Sequence, residues 1–411
     1  MVTPNWVRRP NTSPSMVHVS ATAATGGVAE LLAGLVPAQI AAGVPAGWAV
    51  IEAGEDFHDF TRYLDRLLHG RADSLTSERL GEGAKPYREL LATHAAWLAE
   101  QLGSEDVVVL HDPATLGMAP PLAEAGLRVV WHCHLGTTEE EASGPAAVWH
   151  HFHDELASLD AVVTTLPEYA PQSVPAARRH VFAPAVDPSA PKNRPLSSRE
   201  IETVLAEAGL ALPAQARTVA QVSRWDALKD MPGALRCLPK LPADVHLVLV
   251  GDHPDSSESR AVLDEVRSLR ARLSEQDRSR VHLVLTSQED PQARALLVNA
   301  VQRRADVVLH KSLAEGFGLP VTEAMLKGKA VVAGDVGGPR QQISPGHNGV
   351  LADPRNTTAV VEALEMLLED PMLRRRLGNN ATESVSRRYL MDRLVADYHA
   401  FGISGQLAIA A

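Results

Sequence analysis

ADVVLHKSLAEGFGLPVTEA, residues 305–324, decides the fold. The apolar, β-branched run from Ala305 to His310 reads as a buried strand of a parallel sheet. It passes into a loop with two glycines, Gly316 and Gly318, then into an apolar stretch whose Pro320 suits a first helical turn. Such a loop brings free backbone N–H groups and the positive end of a helix dipole up to phosphate or sugar oxygens. Glu315 lies on the loop and Glu323 about one turn into the helix, so the two carboxylates can contact opposite ends of one ligand. The same residues also read as a tight strand–helix turn with a solvated Glu pair.

The pattern repeats outward in both directions. TVAQVS (218–223), VHLVLV (245–250), VHLVLT (281–286) and KAVVAG (329–334) are strand-like. Upstream, MVHVS (16–20), WAVIE (48–52), DVVVLH (106–111), RVVWHCH (128–134) and DAVVT (160–164) alternate with helical patterns such as 28–43 and 87–103. The Pro-rich AVDPSAPKNRPLSS (185–198) separates the two series. The expected class is α/β: two doubly wound, Rossmann-like domains, 1–190 and 191–385, facing across a cleft. A terminal helix, 386–411, is expected to pack back on the first domain. The first few residues read as a loose tail. Ligands of such sheets sit beyond the carboxyl ends of the strands.

Composition narrows the function. The 411 residues are 45% hydrophobic and 22% charged, which is globular. With 39 Lys and Arg against 50 Asp and Glu, the net charge of −11 excludes a binder of long nucleic acids but allows a small cationic pocket. Two cysteines, Cys133 and Cys237, exclude a disulfide framework and read as small buried residues. Neither a signal-peptide core nor an apolar run of about 18 residues occurs, so a cytoplasmic protein without a membrane span is expected.

Several residues at strand ends carry candidate chemistry. In VSRWDALKD (222–230), Arg224 offers a planar bidentate donor and Lys229 a mobile ammonium, a pair suited to a pyrophosphate. Two surface cations on a loop is the competing reading. Gly337 and Gly338 form a second close-approach turn, and Gly26 and Gly27 stand between a strand and a helix. His111, Asp112 and His134 end two strands and are placed to bond sugar hydroxyls. As metal ligands the histidines are disfavoured: His132 and His134 are expected to face apart, and His150, His153 and Asp154 to form a surface cluster on one helix. Trp131 and Trp225 either stack on a sugar or pack in the core.

TGGVAELLAGLVP, HDP, VVWHCHLG, LPEY, QVSRWDALKD, LVLVGD, EGFGLPVTEAMLKGKAVV and GGPRQQI, in this order, resemble retaining glycosyltransferases of family 4, which have the GT-B fold. The resemblance runs from about residue 16 to 390 and is closer to the trehalose synthase type, which transfers glucose from a nucleotide sugar onto glucose. It implies an acceptor-side first domain and a second domain that binds the nucleotide-sugar donor. By this resemblance Arg224 and Lys229 hold the donor pyrophosphate, and Glu323 accepts hydrogen bonds from the ribose. Glu315, with the backbone of Phe317, Gly318 and Leu319, holds hydroxyls of the transferred sugar. Gly26 and Gly27 let the N-terminal loop approach the phosphates. His134 stands near the reaction centre, and His111 and Asp112 are acceptor contacts.

The resemblance implies no cofactor and no metal, because Arg and Lys neutralise the diphosphate. It implies a same-face displacement in which the leaving phosphate helps to deprotonate the acceptor. The chain departs from the family where an Ile-Asp-type stretch usually follows the His of WHCH. Here LGTTEEEASGP carries Glu139, Glu140 and Glu141, which allows an acceptor other than glucose, a non-sugar with oxygen, nitrogen or sulfur included. A non-catalytic sugar-nucleotide-binding protein is the reading of another class; retention of Arg224, Lys229, Glu315 and Glu323 counts against it. LTSQED (285–290) is a candidate base-reading loop without a decisive pattern, and a homo-oligomer is compatible with the sequence.

Overall fold

The computed structural model describes residues 5–23, 26–138, 143–254, 256–286 and 290–403. The chain divides into two compact units, Met1–Ala185 with Met391–Ala411, and Val186–Leu390. The acidic run Glu139–Glu141 and residues 287–289 of the 285–290 loop lie outside the described residues.

Among the described residues the first unit is built on strands β1 (Asn5–Arg8), β2 (Met16–Ser20), β3 (Ala46–Val50), β4 (Val107–His111), β5 (Arg128–Cys133), β6 (Ala161–Thr164) and β7 (Arg179–Val181). Their order is β1-β3-β2-β4-β5-β6-β7, parallel except for β1, which runs antiparallel to β3. This corrects the expected loose tail: Asn5–Arg8 pair as an edge strand, and the Trp6 indole donates to Gln101 Oε1 at 2.8 Å. Edge pairing of so polar a segment leaves no periodic signature, because one side of the strand faces solvent.

β2, β4 and β5 are apolar and β-branched because both sheet faces are covered. On one face Val108, Leu110 and Trp131 pack with Leu64, Leu67 and Leu91. On the other, Val109 and Val130 pack with Leu32 and Leu35 of helix Gly27–Ala41 and with Leu394 and Tyr398 of the terminal helix Met391–Ile403. Burying Leu394 fully contributes about 1.5–3 kcal/mol, enough to anchor a short helix that makes the last return of the chain.

The second unit has β8 (Arg217–Val222), β9 (Val245–Asp252), β10 (Val281–Thr286), β11 (Val307–His310), β12 (Ala330–Gly334) and β13 (Val350–Ala352), all parallel, in the order β10-β9-β8-β11-β12-β13. Val219, Leu247, Val307 and Val332 pack on Leu364 and Leu367 of helix Thr357–Glu369.

Each sheet has a switch point, where successive connections leave toward opposite edges: between β2 and β4 in the first unit, and between β8 and β11 in the second. The loops that follow these strands part from one another and leave a crevice at the carboxyl ends. The loops after β8 and β11 carry Lys229 and Glu315. Those after β4 and β5 carry Asp112 and His134.

Candidate active site

In the second unit the two switch-point loops are tied together before any ligand arrives. Gln221, fully buried near the end of β8, donates to the Lys229 carbonyl at 2.7 Å and accepts from the Lys311 backbone at 3.2 Å. The Leu313 N–H donates to Leu228 O at 2.7 Å. Asp230, at φ +45°, caps helix Met231–Cys237 through Gly233 N–H at 2.9 Å and also meets the buried Lys311 ammonium. Lys311 donates further to Pro354 O at 2.6 Å, so its charge is spent on holding loops together.

Glu315 is the focus of this frame. Its Oε2 lies 2.8 Å from Lys229 Nζ, 2.7 Å from His310 Nε2 and 3.1 Å from Ser312 Oγ. Burial alone would push this carboxyl up, but the Lys229 charge and the His310 bond outweigh burial and hold it well below the usual range. The carboxylate is therefore ionised and its charge matched.

The rest of the loop is backbone. Gly318, at φ +88°, stands at the N-terminus of helix Leu319–Leu326, a conformation that favours glycine. A Cβ on Gly338 would come 2.2 Å from Phe317 backbone, so only glycine admits the neighbouring turn this close. Gln342 donates to Phe317 O at 2.6 Å and accepts from Thr322 Oγ1 at 2.7 Å, completing the clamp.

Glu323 is separate. It is buried, its Oε1 is 3.2 Å from Lys192 Nζ, and its Oε2 is buried without a hydrogen-bond partner among the described residues. Arg224 turns outward: its side chain is 75% exposed and, among the described residues, reaches only Asp226, at 3.4 Å. Of the two expected pyrophosphate cations, the fold thus places Lys229 in the Glu315 cluster and leaves Arg224 exposed on the same loop.

In the first unit Gly26 caps helix Gly27–Ala41 at φ +92°, and a Cβ on Gly26 or Gly27 would meet nothing within 4 Å among the described residues. Asp112, at φ +57°, accepts the His134 N–H at 2.7 Å, and its carbonyl accepts from Trp131 Nε1 at 2.9 Å. Burial, helped by the Asp65 charge, raises the Asp112 carboxyl to about 8 against that N–H bond. His111 Nδ1 faces His134 Nε2 at 3.1 Å, and His111 Nε2 faces His18 Nδ1 at 2.9 Å. Burial lowers all these imidazoles, His18 to about 4 and His134 to about 3.

The expectation that His132 and His134 face apart is corrected. Their rings stack with centroids 4.0 Å apart, because residues two apart on an extended chain share one face. The donor atoms of His111, His132 and His134 lie within 4.8 Å of one another, a spacing compatible with a cation. The single-helix cluster of His150, His153 and Asp154 does not form, since the helix ends at His151 and a new one begins at His153. Trp131 and Trp225 are buried in the cores, the latter donating to Asp252 O at 2.7 Å, and both cysteines are buried and free.

Sequence reading missed His310, Ser312, Lys192, His18 and Gln39. His310 and Ser312 had a signal, since His310 ends the strand that leads to Glu315 and Ser312 follows it closely; the other three gain meaning only through distant partners.

Two doubly wound sheets, parallel but for the edge strand β1, with charged loops at their switch points are the architecture of the GT-B fold, and comparison with solved structures agrees on it. A UDP-forming alpha,alpha-trehalose-phosphate synthase from Burkholderia xenovorans, in complex with glucose-6-phosphate, matches at TM-score 0.75 and 15% identity, covering 94% of this chain and 99% of that one. A structure titled trehalose-6-phosphate from E. coli bound with UDP-2-fluoro glucose matches at TM-score 0.75 and 14% identity, over 94% and 98%.

The family follows from sequence. Residues 18–171 match the trehalose synthase N-terminal domain, and residues 206–384 match glycosyl transferases group 1. The trehalose synthase of Rubrobacter xylanophilus is 32% identical over 93% of this chain and 88% of its own length. That of Pyrococcus horikoshii is 30% identical over 93% and 88%. The chain belongs to the trehalose synthase family and is a glycosyltransferase. Among the described residues no helix is long and apolar enough to cross a membrane.

Proposed function

We propose that the protein is a retaining, family 4 enzyme that transfers glucose from a nucleoside diphosphate glucose onto glucose, giving trehalose. The observation that carries this reading is the ionised Glu315 held by Lys229, His310 and Ser312 at the glycine turn before helix Leu319–Leu326. A carboxylate so placed accepts hydrogen bonds from hydroxyls of a sugar, while the free N–H groups of Gly318 and Leu319 face its oxygens. Lys229 and the exposed Arg224 supply positive charge for the diphosphate, and a metal is not required. The unpaired Glu323 Oε2 accepts from a ribose hydroxyl, which supplies the donor it lacks.

In the reaction the bond from the anomeric carbon to the diphosphate oxygen breaks. The acceptor oxygen bonds on the same face, and its proton passes to the departing phosphate. Charge builds on that phosphate, where the Lys and Arg donors act. Purified protein offered nucleoside diphosphate glucoses and glucose should release the diphosphate and a disaccharide of trehalose mass. Turnover confined to a different acceptor refutes the assignment of glucose, and absence of turnover with every donor refutes the catalytic reading.

A further inference from the structure

The buried imidazoles of the first unit form a hydrogen-bonded line with a direction. At its closed end the Gln39 amide lies between Met16 and His18, both buried. Its Nε2 donates to Met16 Sδ at 3.3 Å, and its Oε1 faces His18 Nε2 at 3.0 Å. A thioether only accepts, so the NH₂ turns to it and the oxygen is left for His18. His18 Nε2 must then carry the proton. A neutral imidazole has one donor and one acceptor, so each ring dictates the next. His18 Nδ1 accepts from His111 Nε2–H, and His111 Nδ1 accepts from His134 Nε2–H.

The geometry is that of hydrogen bonds and not of ligands around an ion. The His111 and His134 ring planes lie 6° apart, with centroids at 5.4 Å and nitrogens at 3.1 Å. The centroids are as far apart as that contact allows, so the two nitrogens point head-on in one plane. His18 and His111 repeat the head-on approach with ring planes 36° apart, centroids at 5.2 Å and nitrogens at 2.9 Å. Lone pairs that share a tetrahedral cation meet instead at an angle. His132, bonded to Tyr398 and stacked on His134, fixes the plane of the last ring.

We propose that Gln39, acting through His18 and His111, fixes His134 as the Nε2–H tautomer and leaves its Nδ1 as an acceptor for a substrate hydroxyl. Gln39, His18 and His111 are positioning residues, and His134 is the residue that touches sugar. The second half of this statement rests on the proposed function; the first does not. The tautomer also explains why burial is tolerated here, since every imidazole proton in the line has an acceptor.

The test is NMR of ¹⁵N-histidine-labelled, substrate-free protein, with His134 assigned by His134→Gln and nitrogen shifts read for each ring. The expected result is a protonated Nε2 and a bare Nδ1 at His134 in the wild type. Gln39→Leu should give a tautomer mixture at His134, and Gln39→Glu, which keeps the acceptor, should restore the single form. The apparent KM should rise as the share of the right tautomer falls, about twofold for an even mixture, with kcat little changed. A protonated Nδ1 in the wild type overturns the proposal whatever the variants do. So does stoichiometric Zn²⁺ uptake that abolishes the Nε2–H signals of His111 and His134. Correct tautomers that follow Gln39 in a protein without transfer activity support the line and refute only the function assigned to it.

Discussion

Replacing Lys229 by Met separates what this side chain does for the fold from what it does for the reaction. Lys229 and Glu315 are 14% and 10% exposed, so the pair is shielded from solvent. Removing one partner of such a pair costs about 3–5 kcal/mol, because the other charge stays buried. His310 and Ser312 still contact Glu315, which argues for the lower end, about 3 kcal/mol near pH 8. For a unit of this size that is a fall in Tm of about 6–12 °C.

The pH dependence of the penalty has a definite sign. In the wild type the folded Glu315 value lies below the ordinary one, so its contribution is present above about pH 4.5 and is lost as pH falls through the lower value. In Lys229→Met the largest charge opposing burial is gone, and the carboxyl moves up. The penalty is then greatest at high pH and shrinks by about 1.4 kcal/mol per unit once the folded carboxyl binds its proton. Urea unfolding at pH 8 and pH 5.5, followed by the intrinsic fluorescence of a protein that keeps Trp225 as its one tryptophan, the other five replaced by Phe in wild type and variants alike, reads both quantities. Lys229→Met/Glu315→Gln should recover most of the stability and none of the turnover, which falls about a hundredfold or more in each variant. An unchanged stability in Lys229→Met at pH 8, or no recovery in the double variant, refutes the buried pair; turnover within about threefold of wild type refutes the catalytic charge.

Three further outcomes follow from the same geometry. Arg224→Ala should abolish most turnover while Tm stays within about 1 °C, because an exposed side chain with one 3.4 Å contact contributes little to folding; calorimetry and diphosphate release check this. Gly338→Ala should destabilise the second unit by about 2–4 kcal/mol in urea unfolding, since its Cβ meets Phe317 backbone that cannot yield without moving the sugar loop. His18 protonates near 6.5 when unfolded and at about 4 in the fold, so it costs stability as pH falls from 7 to 5. His18→Asn should remove about 2 kcal/mol of that fall in unfolding curves at the two pH values, and an unchanged slope refutes the buried neutral imidazole.

What could be read from the chain alone was what is local. β-branched runs announce strands buried on both faces, and a strand followed by GFGLP announces a glycine turn at a helix entry, because each depends on neighbours within a few residues. Glu315, Gly318 and Lys229 could be singled out for the same reason: the ends of parallel strands are where ligand-facing loops start. The edge strand Asn5–Arg8 was not legible, since its only requirement is a partner with free hydrogen-bonding groups, and β3 supplies that from 40 residues away.

Tertiary structure alone decided who meets whom. Glu315 and Lys229 are 86 residues apart in sequence, and their encounter, fixed by β8 and β11 lying side by side, turned two candidate ligand residues into one charge-matched pair. Arg224, five residues from Lys229, was left in solvent by the same loop. Lys192, read as part of a Pro-rich connection, closes on Glu323, and the scattered His18, Gln39, His111 and His134 form one directed line. Periodicity states which face of an element is buried. The order of strands across a sheet decides which side chains share that burial, and in a low-dielectric interior it is the neighbour that sets charge, tautomer and chemistry.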